Sequence, residues 1–125
     1  MQEAITECLD MLLSVDPANP DYPHPFAPKP STSWFKFSFP VFYVTDLLQN
    51  LEVLLAFGMK GDLRLANAVR LVENNRDEKG MWCMTYTYNG KTWVEIEHKN
   101  QPSNWLTYRA LKVLRSYYAL GGQPE

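Results

Sequence analysis

Asp77 and Glu78 are the one adjacent pair of carboxylates in the chain, inside "RDEKGMW" at residues 76 to 82. Two carboxylates held together can divide the work of a general acid and a general base. Neighbours in sequence point apart on most backbones, however, and Lys79 follows directly. The pair therefore reads as a solvated loop at a helix exit. Cys83 has the chemistry of a nucleophile, but it stands on a Thr/Val/Ile face and reads as a buried, inert thiol. No Gly-rich phosphate loop is present, because Gly58 and Gly61 lack the strand context such a loop needs. No catalytic residue and no cofactor is expected. What remains is an unusual supply of rings: Trp34, Phe35, Phe37, Phe39, Tyr43, Trp82, Tyr86, Trp93 and Trp105. These could line a pocket for an apolar ligand, or could simply be core and interface packing. The ligand-binding expectation rests on Trp34, Phe37, Phe39, Tyr43, Tyr86, Trp93 and Trp105.

The elements that would position these rings follow from periodicity. Ile5, Cys8, Leu9 and Leu12 recur at helical spacing over residues 2 to 14, with Glu3 and Glu7 on the wetter side. Residues 16 to 30 hold six of the nine prolines, which excludes helix and central strand and predicts a stiff connector. A ligand for a proline-recognising domain is the other reading of "PHPFAPKP". His24 falls in this stretch and reads as an exposed linker residue. "SWFKFSFPVFY" alternates, so Phe35, Phe37 and Phe39 are expected on one side of an extended segment.

Thr45 is expected to cap a helix carrying Leu47, Leu48, Leu51, Leu54 and Leu55, and Gly58 to end it. Asp62 would cap a second helix with Leu65, Ala66, Val69 and Val72. Residues 45 to 75 thus read as an antiparallel helical hairpin. Asn89-Gly90 between alternating runs predicts a β-hairpin over about residues 82 to 97. Ser103 would cap a last helix, with Leu106, Ala110, Val113, Leu114 and Tyr117 inward and Arg109, Lys112 and Arg115 toward solvent. The expected organisation is an N-terminal helix at 1–15, a Pro-rich linker at 16–33, and a helical-repeat domain with a β-hairpin at 34–125.

Bulk properties narrow the function classes. A length of 125 residues fits one small domain, and 46% hydrophobic residues suffice for a core. The net charge of -2, without a Lys/Arg run, gives nucleic acid no electrostatic footing. No apolar run is long enough to span a bilayer, and no signal-peptide pattern opens the chain. Cys8 and Cys83 form no pair motif and read as reduced core thiols of a cytoplasmic protein.

The corner "NRDEKGMW", followed by "PSNWLTYRALKVLRSYY" and preceded by "FPVFYVTDLLQNLEVLLAFG", resembles the repeats of terpenoid cyclases and protein prenyltransferases. The resemblance covers residues 34 to 118, and the nearest group is an uncharacterised bacterial squalene-cyclase-like one. Those repeats carry a Gln, three residues, then Gly-x-Trp. Gly80 and Trp82 match, while Arg76 stands where Gln belongs. The resemblance implies an all-α fold of antiparallel hairpins from an α/α-toroid, here only a C-terminal part with one inserted β-hairpin. It implies Arg76, Gly80 and Trp82 as a structural corner, with Arg76 bonded to backbone at a neighbouring helix end. A chain this short cannot close a toroid, so self-association or a longer-chain neighbour is expected. A single four-helix pack closed by the hairpin is the competing arrangement.

Activity does not follow from the resemblance. The Asp-rich motif with which squalene and hopene cyclases protonate an alkene is missing. Asp77, Cys83 and His98 are the residue types that bind zinc in protein prenyltransferases, but their spacing departs from that pattern, and no metal is expected. The expectation is a non-catalytic helical-repeat module that binds an apolar small molecule or mediates protein assembly. An enzyme or enzyme fragment acting on an isoprenoid-like substrate is the alternative.

Overall fold

A computed structural model describes residues 1–23, 26, 31–41 and 45–119. Among them are four α-helices and one two-stranded antiparallel sheet: α1 (Gln2–Leu13), α2 (Leu47–Ala56), α3 (Ala66–Asn74), β1 (Trp82–Cys83), β2 (Pro102–Ser103) and α4 (Asn104–Tyr118). The chain is mainly helical. No helix among the described residues is long and apolar enough to cross a membrane.

Helices α2, α3 and α4 meet around one core. Leu47, Leu48, Leu51 and Leu54 of α2 are fully buried, as are Ala68, Val69 and Val72 of α3 and Leu106 and Ala110 of α4. These are the stripes expected from the sequence, and burying each large side chain contributes on the order of 1.5–3 kcal/mol. The helix ends are fixed by local chemistry. Asp46, rather than Thr45, caps α2: its backbone is extended and its carboxylate accepts from Gln49 N–H at 2.7 Å. The exit is a Schellman turn, with Gly58 N–H donating to Leu55 O and Met59 N–H to Leu54 O while Gly58 adopts φ +93°. Asp62 caps a short 3-10 turn (Leu63–Leu65) that leads into α3, and Ser103 caps α4 by accepting from Leu106 N–H.

Helix α1 docks through Leu13, with Leu9 and Leu12 half-buried against the core. The described part of the Pro-rich connector lies on the body rather than hanging free. Pro17 and Pro20 are buried, and the Trp34 indole donates to Pro17 O at 2.9 Å. Tyr22 donates its hydroxyl hydrogen to Leu12 O. Most of "PHPFAPKP", His24 included, lies outside the described residues.

Three expectations change. The β-hairpin at 82–97 does not form. Asn89-Gly90 does make the turn, with Lys91 N–H donating to Tyr88 O at 2.9 Å and Gly90 at φ +85°. The runs on either side do not pair; β1 pairs instead with β2, Trp82 opposite Ser103 and Cys83 opposite Pro102. Two further bonds, Met84 N–H to Gln101 O and Asn100 N–H to Met84 O, close residues 85 to 99 into a loop. The physical reason is anchoring: Met84 and Tyr88 are buried in the body, and Thr85 and Tyr86 donate their N–H groups to Phe37 O. Those contacts outcompete a two-stranded ribbon, which is marginal alone.

The aromatic segment is also not uniformly extended. Thr32–Phe35 is a 3-10 turn capped by Ser31, so Phe35 is exposed while Phe37 is buried. Finally, Arg109 does not face solvent.

Candidate functional site

The rings expected to share a pocket are dispersed. Trp34 is tied to the connector, edge-on to Tyr22 at 5.9 Å. Phe37 is core. Phe39 stacks on Trp105 at 5.0 Å, with Trp105 half-exposed. Tyr86 meets Tyr88 edge-on within the loop, and Trp93 stands fully in solvent at the loop tip. Tyr43 lies outside the described residues.

The corner residues do come together. Trp82 is fully buried. Its Nε1–H donates to Val72 O at 2.7 Å, at the end of α3, and its backbone N–H donates to Thr107 Oγ1 at 3.0 Å, on α4. The indole thus satisfies a helix-end carbonyl and pins α3 to α4. Gly80 turns the chain at φ +81°, where a Cβ would come 3.0 Å from Arg76 Nη2. The bond implied for Arg76 is not made. Its side chain is exposed, and its guanidinium lies over the Trp82 ring at 5.6 Å. No hydrogen bond from that side chain to backbone is found among the described residues.

Asp77 is half-buried rather than freely solvated. Its Oδ1 accepts from Lys79 N–H at 2.9 Å and Met81 N–H at 2.8 Å, so it organises the turn. Glu78 is exposed. Cys8, expected in the core, is exposed, and Cys83 is half-buried; both are free thiols. Among the described residues no three His, Cys, Asp or Glu side chains are grouped to hold a metal ion.

Two features were not expected. The first is an ionic cluster between α2 and α4. Arg109 is nearly buried and grips Glu52 through two bonds of 2.9 Å, while its Nη1 donates to Ser38 O. Asp46 lies 3.8 Å away, and its Oδ2 is buried without a hydrogen-bond partner among the described residues. Burial pushes the Asp46 carboxyl above its ordinary value, with Glu52 adding to the rise, against opposing pulls from the Gln49 N–H and Arg109. The sequence carried a signal for this cluster. Arg109 stands three residues after Leu106 and four before Val113, on the buried stripe of α4. Glu52 stands four residues after Leu48 and three before Leu55, on the stripe of α2. Opposite charges on two apolar stripes pointed to a pair.

The second feature is a groove of about 230 Å³ between α1 and α2, lined by Met1, Ala4, Ile5, Cys8, Leu9, Leu12, Val53 and Phe57. Its accessible lining is wholly apolar. Val53 and Phe57 remain 41% and 50% exposed, too much for residues that only fill a core. A second groove, between α2 and α4, mixes Glu52, Lys112 and Ser116 with Leu55, Ala56 and Val113. The first groove is smaller than the ~300–1,000 Å³ of pockets that enclose small molecules. It suits one or two inserted side chains. Set against known protein families, curated proteins and solved structures, the chain matches none of them.

Proposed function

We propose that this chain is a non-catalytic helical module that takes part in protein assembly, seating apolar side chains of a partner in the groove between α1 and α2. The observation that carries this reading is the groove itself: apolar throughout, open, and flanked by Val53 and Phe57 left half in water. Exposed apolar surface of this kind marks interaction sites. Trp93 standing in solvent and Trp34 tied to the connector favour assembly over an enclosed ligand.

The repeat-type fold stays part of this proposal. The Gly80–Trp82 corner supports it, since it locks one helix end to the next helix as a repeat junction would. The missing Arg76 backbone bond counts against it. Units of a repeat fold bury their open faces on neighbours, which agrees with the assembly reading.

A photo-crosslinking amino acid placed at Val53 tests the proposal in the cells that express the protein. The expected result is a discrete protein adduct that disappears when Ile5→Glu is added and is not formed from exposed Leu63. Equal crosslinking from both positions, or none from Val53, would overturn it.

A further inference from the structure

Asn89 is one of eight asparagines in the chain and the only one followed by glycine. That pairing has a chemistry of its own. The backbone nitrogen after an asparagine can attack the side-chain carboxamide, and the side chain on the following residue ordinarily obstructs the approach. Gly90 has none. It is exposed, at φ +85°, and its N–H makes no hydrogen bond among the described residues. Elsewhere the same attack is blocked. Asn19 precedes Pro20, which has no N–H to give up. Leu51, after Asn50, has its nitrogen tied into α2. Asn100 and Asn104 precede Gln101 and Trp105, whose side chains crowd the approach.

The Asn89 carboxamide also holds the loop. Its Nδ2 donates to Glu97 O at 2.8 Å, across the loop. The carboxylate of the same Glu97 accepts from the Ser103 hydroxyl and from Asn104 N–H at the start of α4. Asn89 therefore latches the turn to a residue that is itself fixed to the helix. A carboxylate in its place could only accept, and could not bond to the Glu97 carbonyl.

We propose that Asn89 is a modification site, where spontaneous deamidation turns the latch into a carboxylate and frees the turn from Glu97. The Gly90 N–H gives its proton to water. Its nitrogen forms a bond to Asn89 Cγ, the Cγ–Nδ2 bond breaks, and Nδ2 takes up a proton and leaves as ammonia. The product is a five-membered succinimide. Water opens that ring at either carbonyl, giving aspartate or isoaspartate at position 89. No oxidant or reductant is consumed. Either product sets a negative charge against the Glu97 carbonyl. Isoaspartate also adds a carbon to the main chain, inside the turn that Lys91 N–H and Tyr88 O close. The change is one-way, so it loosens the loop bearing Trp93 as the molecule ages.

The test uses the full-length purified chain, incubated at mildly alkaline pH and sampled over days. Trypsin releases residues 80–91, in which Asn89 is the only asparagine. Mass spectrometry reads conversion of amide to acid, and an isoaspartyl methyltransferase labels the isoaspartate. Conversion at Asn89 should run at least about tenfold faster than at any other asparagine. Asn89→Gln keeps the donor but needs a larger ring, and should not convert over the same period. The converted protein, separated by its added negative charge, should exchange the amide hydrogens of residues 86–97 several-fold faster than the intact protein, with α3 unchanged. Asn89→Asp should show the same loosening without incubation.

Conversion at Asn89 no faster than elsewhere would overturn the modification site, the bond to Glu97 O then keeping the carboxamide from Gly90. Fast conversion with unchanged exchange over residues 86–97 would overturn the latch.

Discussion

Trp82 and Trp93 sit in one continuous aromatic stretch, yet one is fully buried and the other fully exposed. Trp82 has two assignments for its polar hydrogens, Val72 O and Thr107 Oγ1, on two different helices. Trp93 stands past the Asn89-Gly90 turn on a run with no pairing strand. The difference teaches that a ring becomes structural here when its N–H groups complete a helix end, and not when it merely alternates with polar neighbours. Around Trp82 the chain is closed by the corner and the short sheet. Around Trp93 the loop is held at its ends, by the Thr85 and Tyr86 N–H bonds to Phe37 O and by the Glu97 carboxylate accepting from Ser103 and Asn104, while its tip stays in water.

Mutations can break this contrast in order of size. Trp82→Ala should cost about 3–5 kcal/mol of unfolding free energy, read by denaturant titration. Trp93→Ala should stay within about 0.5 kcal/mol, and equal losses at the two positions would erase the distinction. Arg109→Met should cost about 2–4 kcal/mol, somewhat under the loss for a wholly buried pair because Glu52 keeps some solvent. It strands Glu52 and the Ser38 carbonyl, and double-mutant cycles with Glu52→Gln should show coupling. Gly80→Ala should cost about 1 kcal/mol, since the position needs a positive φ and crowds Arg76.

Asp46→Asn gives the smallest effect and sharpens the contrast through pH. The folded Asp46 carboxyl holds its proton more tightly than in the unfolded chain. Its contribution is therefore fully present below about pH 4 and is lost as pH rises through the folded pKa. Asparagine keeps the cap without the buried charge. The variant should gain stability relative to the wild type between acid and neutral pH, as measured by thermal unfolding at each pH. A relative loss over that range would show that Arg109, not burial, governs this carboxyl.

Much of the helical body was legible in the sequence. The leucine stripe of α2, the turn from Gly58 to Asp62 and the Ser103 cap each follow from side chains acting on backbone within a few residues. What was not legible depends on distant partners. Asn89-Gly90 signalled a turn truly, but pairing was decided by the burial of Met84 and Tyr88 and by the bonds of Thr85 and Tyr86 to Phe37 O. Arg109 was assigned to solvent by charge, although its position on the stripe and the matching position of Glu52 pointed inward. The aromatic set was legible as a supply of rings and not as positions: Phe39 stacks on Trp105, Trp34 meets Tyr22 and Trp93 stays in solvent, contacts that depend on residues distant in sequence.

Cys8, an exposed thiol on the wall of the groove between α1 and α2, reports whether a partner's side chains occupy that groove. Its alkylation rate by iodoacetamide, relative to that of Cys83, is read by peptide mass spectrometry in lysate of the cells that express the protein and again on the dilute purified chain. Occupancy of the groove is expected to slow Cys8 several-fold in the lysate while Cys83 keeps its rate. An unchanged Cys8 rate in the lysate would contradict the assembly reading.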